Sequence, residues 1–368
     1  MIYLDNNATT PIDKAVADAM LPFIYENYGN PSSTHKMGLA AKSAIQQSRQ
    51  QVGKLLNCRE DEIVFTGSGS EANNTILKGV AAAHKDKGRH IITSMIEHPS
   101  VMATCQYLQD SGFRVSYLPV NEYGEVEAEQ VQNAITDQTI LVSIMHSNNE
   151  TGTLQPIKAI ADICNKQKVL FHTDASQSIG KVPVDIQALG VDFLTLAGPK
   201  LYAPKGIGAF YIKQGVTIPS LIHGAGHEMG RRAGTENVIF IVGLGKACEI
   251  ALQRLKSNQV LEFTQYFYQQ LQKTFQSKIQ LNGHPINKLP NTLNISFLGY
   301  KSVDIMAKLT DVAVSAGSAC HAGSTEISPV LKAMGVSQEA GMGAIRFSLG
   351  KDTSKEEIDQ VLALLASL

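Results

Sequence analysis

Three stretches of this chain place reactive side chains in settings built to hold them. In "VDFLTLAGPKLYAPKGIGAFYI" (191–212) an apolar run ends in Ala-Gly-Pro-Lys. Lys200 therefore stands just past a strand end, between rigid turn residues. A lysine in a partly dry pocket loses its proton readily and can form a Schiff base. The alternative is a solvated loop lysine, which describes the nearby Lys205 better. In "LFHTDASQSIGK" (170–181) another apolar run delivers Asp174 at its C-terminal end, with Gln177 one turn later. Ligands of open α/β sheets sit beyond the carboxyl ends of strands, so an acid there can face a ring nitrogen or a metal. A helix N-cap role is equally open. In "FTGSGSEANN" (65–74) a strand runs into glycines and then a helix expected to start near Ser70. Backbone N–H groups at such a start suit a phosphate, with Gly69 and Ser70 in front. A simple capped turn with Ser70 as N-cap is the other reading.

A fourth stretch, "VSAGSACHAGSTE" (314–326), sets Cys320 beside His321 among Gly, Ala and Ser. It has too little bulk for a core and no strand or helix period. The other four cysteines (58, 105, 164, 248) lie in apolar or helical contexts, and their scatter fits neither a disulfide framework nor a CxxC metal site. No metal site is expected.

The elements that must carry these residues are legible as alternation. "EIVFTG", "HIITSMI", "RVSYLPV", "TILVSIMH", "VLFHTDA", "VDFLTLA" and "IGAFYI" read as strands. Between several of them lie helix-spaced apolar patterns such as "SEANNTILKGVAAAHKDKG" and "IKAIADICNKQK". Strand and helix in alternation predict an α/β fold with a mostly parallel, doubly wound sheet of seven strands. A helix over about 238–256 bridges to "PNTLNISFLGY", "VAVSAGSAC" and "AIRFSLG", which read as a smaller α+β domain. The expected division is a large domain over 13–255 and a small one made of 1–12 and 256–368.

With 368 residues, 43% of them hydrophobic, the chain can bury two cores. Its formal net charge of −1 gives no reason to expect nucleic acid or an anionic membrane as a partner. No apolar run approaches a membrane span of about 20 residues, and no signal peptide is expected in "MIYLDNNATTP". A reducing cytoplasm is the expected location.

The ordered set of segments carries a resemblance. "YLDNNATTP", "YGNPSSTH", "FTGSGSEANN", "EHPSV", "MHSNNETGTLQPI", "TDASQSIGK", "AGPKLYAPKGIGAFY", "GHEMGRRAGTEN", "SAGSACHAGSTEISPVLKAMG" and "AIRFSLG" run from about residue 3 to residue 350. Together they resemble the class V, NifS/IscS-type cysteine desulfurases, transferases of the fold-type I pyridoxal-phosphate group. The resemblance implies a homodimer with active sites at its interface, converting L-cysteine to L-alanine. Lys200 would carry pyridoxal 5'-phosphate and take the Cα proton. Asp174 would pair with the pyridine nitrogen, His98 would stack on the ring, and Gln177 would reach the ring oxygen. Asn149 would touch the ring region, Gly69 and Ser70 would seat the phosphate, and Thr235 would reach the phosphate of the neighbouring subunit. Arg346, alone in an apolar strand, would clamp the substrate carboxylate, helped by Asn30. A structural ion pair is the plainer role for Arg346. Cys320 would accept the sulfur as a persulfide, and the small residues around it would let it pass the sulfur to an acceptor protein, for iron–sulfur cluster assembly or nucleic-acid thiolation.

Two positions depart from the pattern. Pro199 stands where the family usually has histidine, and Ala197 where a serine often contacts the phosphate. Two other outcomes are therefore kept open: a selenocysteine lyase or other C–S lyase on the same scaffold, and a degenerate sulfur-transfer scaffold.

Overall fold

The computed structural model describes residues 1–316 and 326–368. Cys320 and His321 lie outside the described residues.

All seven expected strands form one sheet. Along it they run Ile63–Thr66, Gly208–Ile212, Phe193–Ala197, Leu170–Asp174, Thr139–Ser143, His90–Ser94 and Arg114–Leu118. Gly208–Ile212 is antiparallel to both neighbours; the other pairs are parallel. The strands read as continuous apolar runs because both faces are covered. Val64, Ile91, Leu141, Phe193 and Phe210 enter one core; Phe65, Ile92, Val142, Leu194 and Ala209 enter the other. That is the period of two expected of a pleated strand.

A second sheet, antiparallel throughout, is ordered Ser315–Ala316, Ala344–Ser348, Thr292–Phe297, Ile279–Asn282. Its core holds Phe267, Phe297, Ile345 and Phe347, and Leu4 from the start of the chain joins it. The start is held there by backbone pairing: Ile2–Tyr3 lies parallel to Val312–Ala313, and Asp5 bridges Ser348. The short strands Ile2–Tyr3 and Ile279–Asn282 carry too little pattern to be read from sequence.

The helix after Ile63–Thr66 spans Gly69–His84. Its N-cap is Ser68, whose hydroxyl accepts the Glu71 N–H, so the cap falls two residues before Ser70. This leaves the Ser70 side chain exposed at the first turn instead of tied to the backbone. Among the described residues no helix is long and apolar enough to cross a membrane.

Candidate active site

Lys200 and Asp174 come together because their strands are neighbours. Asp174 pairs in register with Thr195, and Lys200 closes the tight turn Gly198–Lys200 that follows Phe193–Ala197. The N-terminus of Gly69–His84 reaches the same edge, since Ile63–Thr66 runs parallel to these strands through its antiparallel neighbour. The result is a cavity of about 590 Å³. Lys200, Asp174, Gln177, His98, Asn149, Gly69, Ser70 and Arg346 all line it.

Asp174 is held from two sides. Its Oδ1 accepts the Ser176 N–H at 2.9 Å, and its Oδ2 accepts from Asn73 Nδ2 at 2.7 Å. No helix starts there, so the capping role is local to a turn. Asn73 Nδ2 also donates to Ser100 Oγ at 2.8 Å, and Ser100 Oγ lies 2.8 Å from His98 Nδ1. A chain Asp174–Asn73–Ser100–His98 thus spans the cavity wall. His98 is the N-cap of Pro99–Asp110: its Nδ1 accepts the Ser100 N–H at 3.1 Å. Capping and a cavity-facing ring coexist here. Because Nδ1 is an acceptor, a neutral ring carries its proton on Nε2. Burial and the Lys200 charge push the His98 pKa down against the pull of Asp174.

Lys200 Nζ donates to the Ala8 carbonyl. Its pKa is lowered first by burial and then by Arg346, while Asp5 and Asp174 oppose the shift. A lowered ammonium pKa is what an amine nucleophile and base needs. Pro199, which has no N–H, still serves the site: its carbonyl accepts from Thr10 N at 2.9 Å and Thr10 Oγ1 at 3.0 Å. Three residues on, Tyr202 has φ +66°, a left-handed conformation held by its N–H on Thr10 Oγ1 at 2.8 Å. Lys205 is exposed, as a solvated loop lysine is expected to be. It lines the cavity and donates to the Thr10 carbonyl at 3.3 Å.

At Gly69 the space is tight. A Cβ there would lie 3.1 Å from the Ala197 methyl and 3.3 Å from Ser176 Oγ. The bare backbone therefore faces the cavity beside a hydroxyl, Ser176, which forms no hydrogen bond among the described residues. This cradle, the helix start, the lysine and the acid suit pyridoxal phosphate.

Arg346 lies in Ala344–Ser348. Its Nη2 donates to Asp5 Oδ1 at 2.7 Å and to Ser315 Oγ at 2.8 Å; its Nη1 donates to the Asn149 carbonyl at 3.0 Å. Nε is buried without a partner among the described residues. The ion-pair role is thus present, and an anion-binding atom is left over. Ser315 and Ser328 anchor the chain on either side of 317–325: Ser315 on Asp5 and Arg346, Ser328 on Glu150 at 2.5 Å.

Asn30 and Thr235 do not line this cavity; both are exposed on the single chain. The loop that carries Thr235 is pinned by Arg49, which donates to both Glu228 oxygens at 2.8 and 2.9 Å, and by Arg232 on Glu71 at 2.9 Å. Among the described residues no cluster could hold a metal ion.

Sequence reasoning missed Asn7, Asn73, Ser100, Ser176 and Asp5. Only Asp5 and Asn7, as polar residues crowded into "YLDNNATTP", left any trace there.

The Aminotransferase class-V family model matches residues 2–361. The "Cysteine desulfurase IscS" of Methanosarcina thermophila is 45% identical over 371 residues, covering 100% of this chain and 91% of the relative. A solved "NIFS-LIKE PROTEIN" superposes with a TM-score of 0.93 at 38% identity, covering 100% of this chain and 98% of its own. A structure titled "SspA in complex with cysteine" follows at TM-score 0.85 and 36% identity, covering 95% and 99%.

Proposed function

We propose, from the premise that this chain belongs to the class-V aminotransferase family and within it to the cysteine desulfurases, a division of labour among its site residues. The protein is a pyridoxal-phosphate-dependent cysteine desulfurase; which residues do the work is the reading that follows. When bound, the cofactor acts as an electron sink that makes bonds at the substrate's Cα and Cβ breakable.

Lys200 holds the cofactor and moves the proton at Cα, for which its lowered pKa suits it. Asp174, fixed by Asn73 and Ser176, would pair with the pyridine nitrogen. His98 would lie against the ring and Gln177 would donate to its oxygen, since both line the cavity. Asn149 borders the ring. Gly69 and Ser70 seat the phosphate at the helix start, and Thr235 serves the partner subunit's phosphate in a homodimer. Arg346 receives the carboxylate of L-cysteine, with Asn30 assisting across the dimer or after closure. Cys320 accepts the sulfur. The Cβ–S bond breaks with its electrons left on carbon, an S–S bond forms on Cys320 Sγ, and the carbon skeleton leaves as alanine. An acceptor protein then takes the sulfur, and iron–sulfur cluster assembly is the destination the relatives' kind suggests.

The observation that carries this reading is the convergence of Lys200, Asp174, His98 and Arg346, from four separate elements, on one cavity. The test is mass spectrometry after adding L-cysteine to the cofactor-loaded protein. One extra sulfur on the Cys320 peptide, with alanine released, is expected. Alanine production that persists in Cys320→Ala would instead identify a lyase that needs no protein thiol.

A further inference from the structure

Behind Gln177 stands a lysine with no part in the chemistry above. Lys181 Nζ donates to Gln177 Oε1 at 2.9 Å and to Asn7 Oδ1 at 3.0 Å. No carboxylate pairs with it among the described residues. Burial, Lys200 and Arg346 all disfavour its charge and bring its pKa down to about 7. On its other side it meets a separate cavity of about 190 Å³ with Arg254 and Lys351, whose shared carboxylate is Asp13. An ammonium kept here without a counter-ion is costly.

Its N–H groups bear on the orientation of its neighbours. The ammonium has no acceptor, and the neutral amine still has two N–H groups for the two amide oxygens it faces, so Gln177 turns its oxygen towards Lys181. The carboxamide nitrogen then faces the Asn7 carbonyl, to which it donates at 2.8 Å. Asn7 is locked the same way. Its Oδ1 receives Lys181 and Asn291, and its Nδ2 donates to the Asn149 carbonyl and Thr292 Oγ1. Neither amide can flip without placing two donors or two acceptors together. The second N–H of Gln177 remains for the cavity that this residue lines.

We propose that Lys181 is a positioning residue that makes Gln177 present a hydrogen-bond donor, and never an acceptor, to the ring oxygen of the cofactor. The inference rests on the cofactor reading above. A donor on that oxygen stabilises its anionic form. It therefore lowers the pH at which the lysine-bound cofactor loses its proton.

The test is a pH titration of the cofactor's visible absorption, without substrate, in the full-length protein. Lys181→Met removes one of the two locks on the amide, leaving the Asn7 carbonyl as the other, and is expected to raise the midpoint by up to about one pH unit, the scale of one hydrogen bond to a charged form. Lys181→Gln keeps N–H donors without charge and is expected to stay close to wild type. Gln177→Leu is expected to rise as Lys181→Met does, and the double variant no further. An unmoved midpoint in Lys181→Met overturns the proposal. So does a Lys181→Gln shift equal to that of Lys181→Met, or full additivity in the double variant, since either would make charge alone responsible. If Lys181→Met does not fold, Lys181→Gln and Gln177→Leu decide. A wild-type protein without a visible band overturns the cofactor reading itself, a separate result.

Discussion

The two walls of the cavity are built on different principles. One wall comes from strand ends and helix starts of the large sheet, and several of its side chains are held by near neighbours in sequence, although Asp174 also meets Asn73, Lys200 the Ala8 carbonyl and Gln177 the Asn7 carbonyl. Asp174 is held by Ser176, His98 by Ser100, and Ser68 by Glu71. The other wall is assembled from the two ends of the chain. Arg346 meets Asp5 across 341 residues and the Asn149 carbonyl across 197; Asn7 meets Ser348 across 341. The first wall suits the cofactor and the second the substrate. Strand-end turns preset the geometry of the first, while the second exists only once the small sheet has closed around the N-terminus.

This contrast predicts that damage to the first wall is read in the cofactor, and damage to the second in the substrate. Lys200→Ala should have the largest effect. Alanine release should fall by roughly 10³-fold, and borohydride should no longer fix cofactor to the chain. Turnover within tenfold of wild type would remove the first wall from the chemistry. Arg346→Lys loses the planar fork and should lower kcat/KM about 10- to 100-fold with cofactor absorption unchanged. A lost visible spectrum in that variant would erase the distinction between the walls. Ser176→Ala sharpens it from the other side. Cofactor affinity, measured by equilibrium titration, should weaken by about tenfold, because the Ser176 hydroxyl stands beside Gly69 where it could make the contact that Ala197 cannot. Equal affinity in the two proteins would leave Ser176 outside the phosphate cradle.

The last effect concerns stability. Glu97, fully buried beside His98, accepts from Ser94 Oγ and Met145 N–H, but its Oε2 has no partner among the described residues. Burial raises its pKa from 4.5 to about 8, and the Asp174 charge adds to the shift. Between those values the unfolded chain has lost the proton that the folded chain keeps, so folding stability declines as pH rises through this window. The wild-type Tm should fall from about pH 5 to pH 8 more steeply than that of Glu97→Gln. Parallel slopes would show that Glu97 is ionised in the fold.

Part of this architecture was legible in advance. The seven strands, with Asp174 at the end of one and Lys200 just past another, follow from apolar runs ended by Asp or Gly-Pro-Lys. Both the run and its stop are local. For Ser70 the choice between cap and phosphate contact stays open in the sequence because Ser68 and Ser70 offer the same chemistry two residues apart, and only backbone geometry gives the cap to Ser68. Asn73, Ser100 and Ser176 were invisible, since a polar residue in a helix or turn gives no hint of what it faces.

The sequence by itself determined which residues stand at the strand ends, because hydrophobic period and turn chemistry act over a few neighbours. Tertiary structure alone decided that Arg346 would answer to Asp5 and Ser315. It also decided that Asn7 would lock Gln177 and Lys181, since Asp5 and Asn7 lie 170 or more residues from Arg346, Gln177 and Lys181 and meet them only once burial leaves each donor few acceptors within reach.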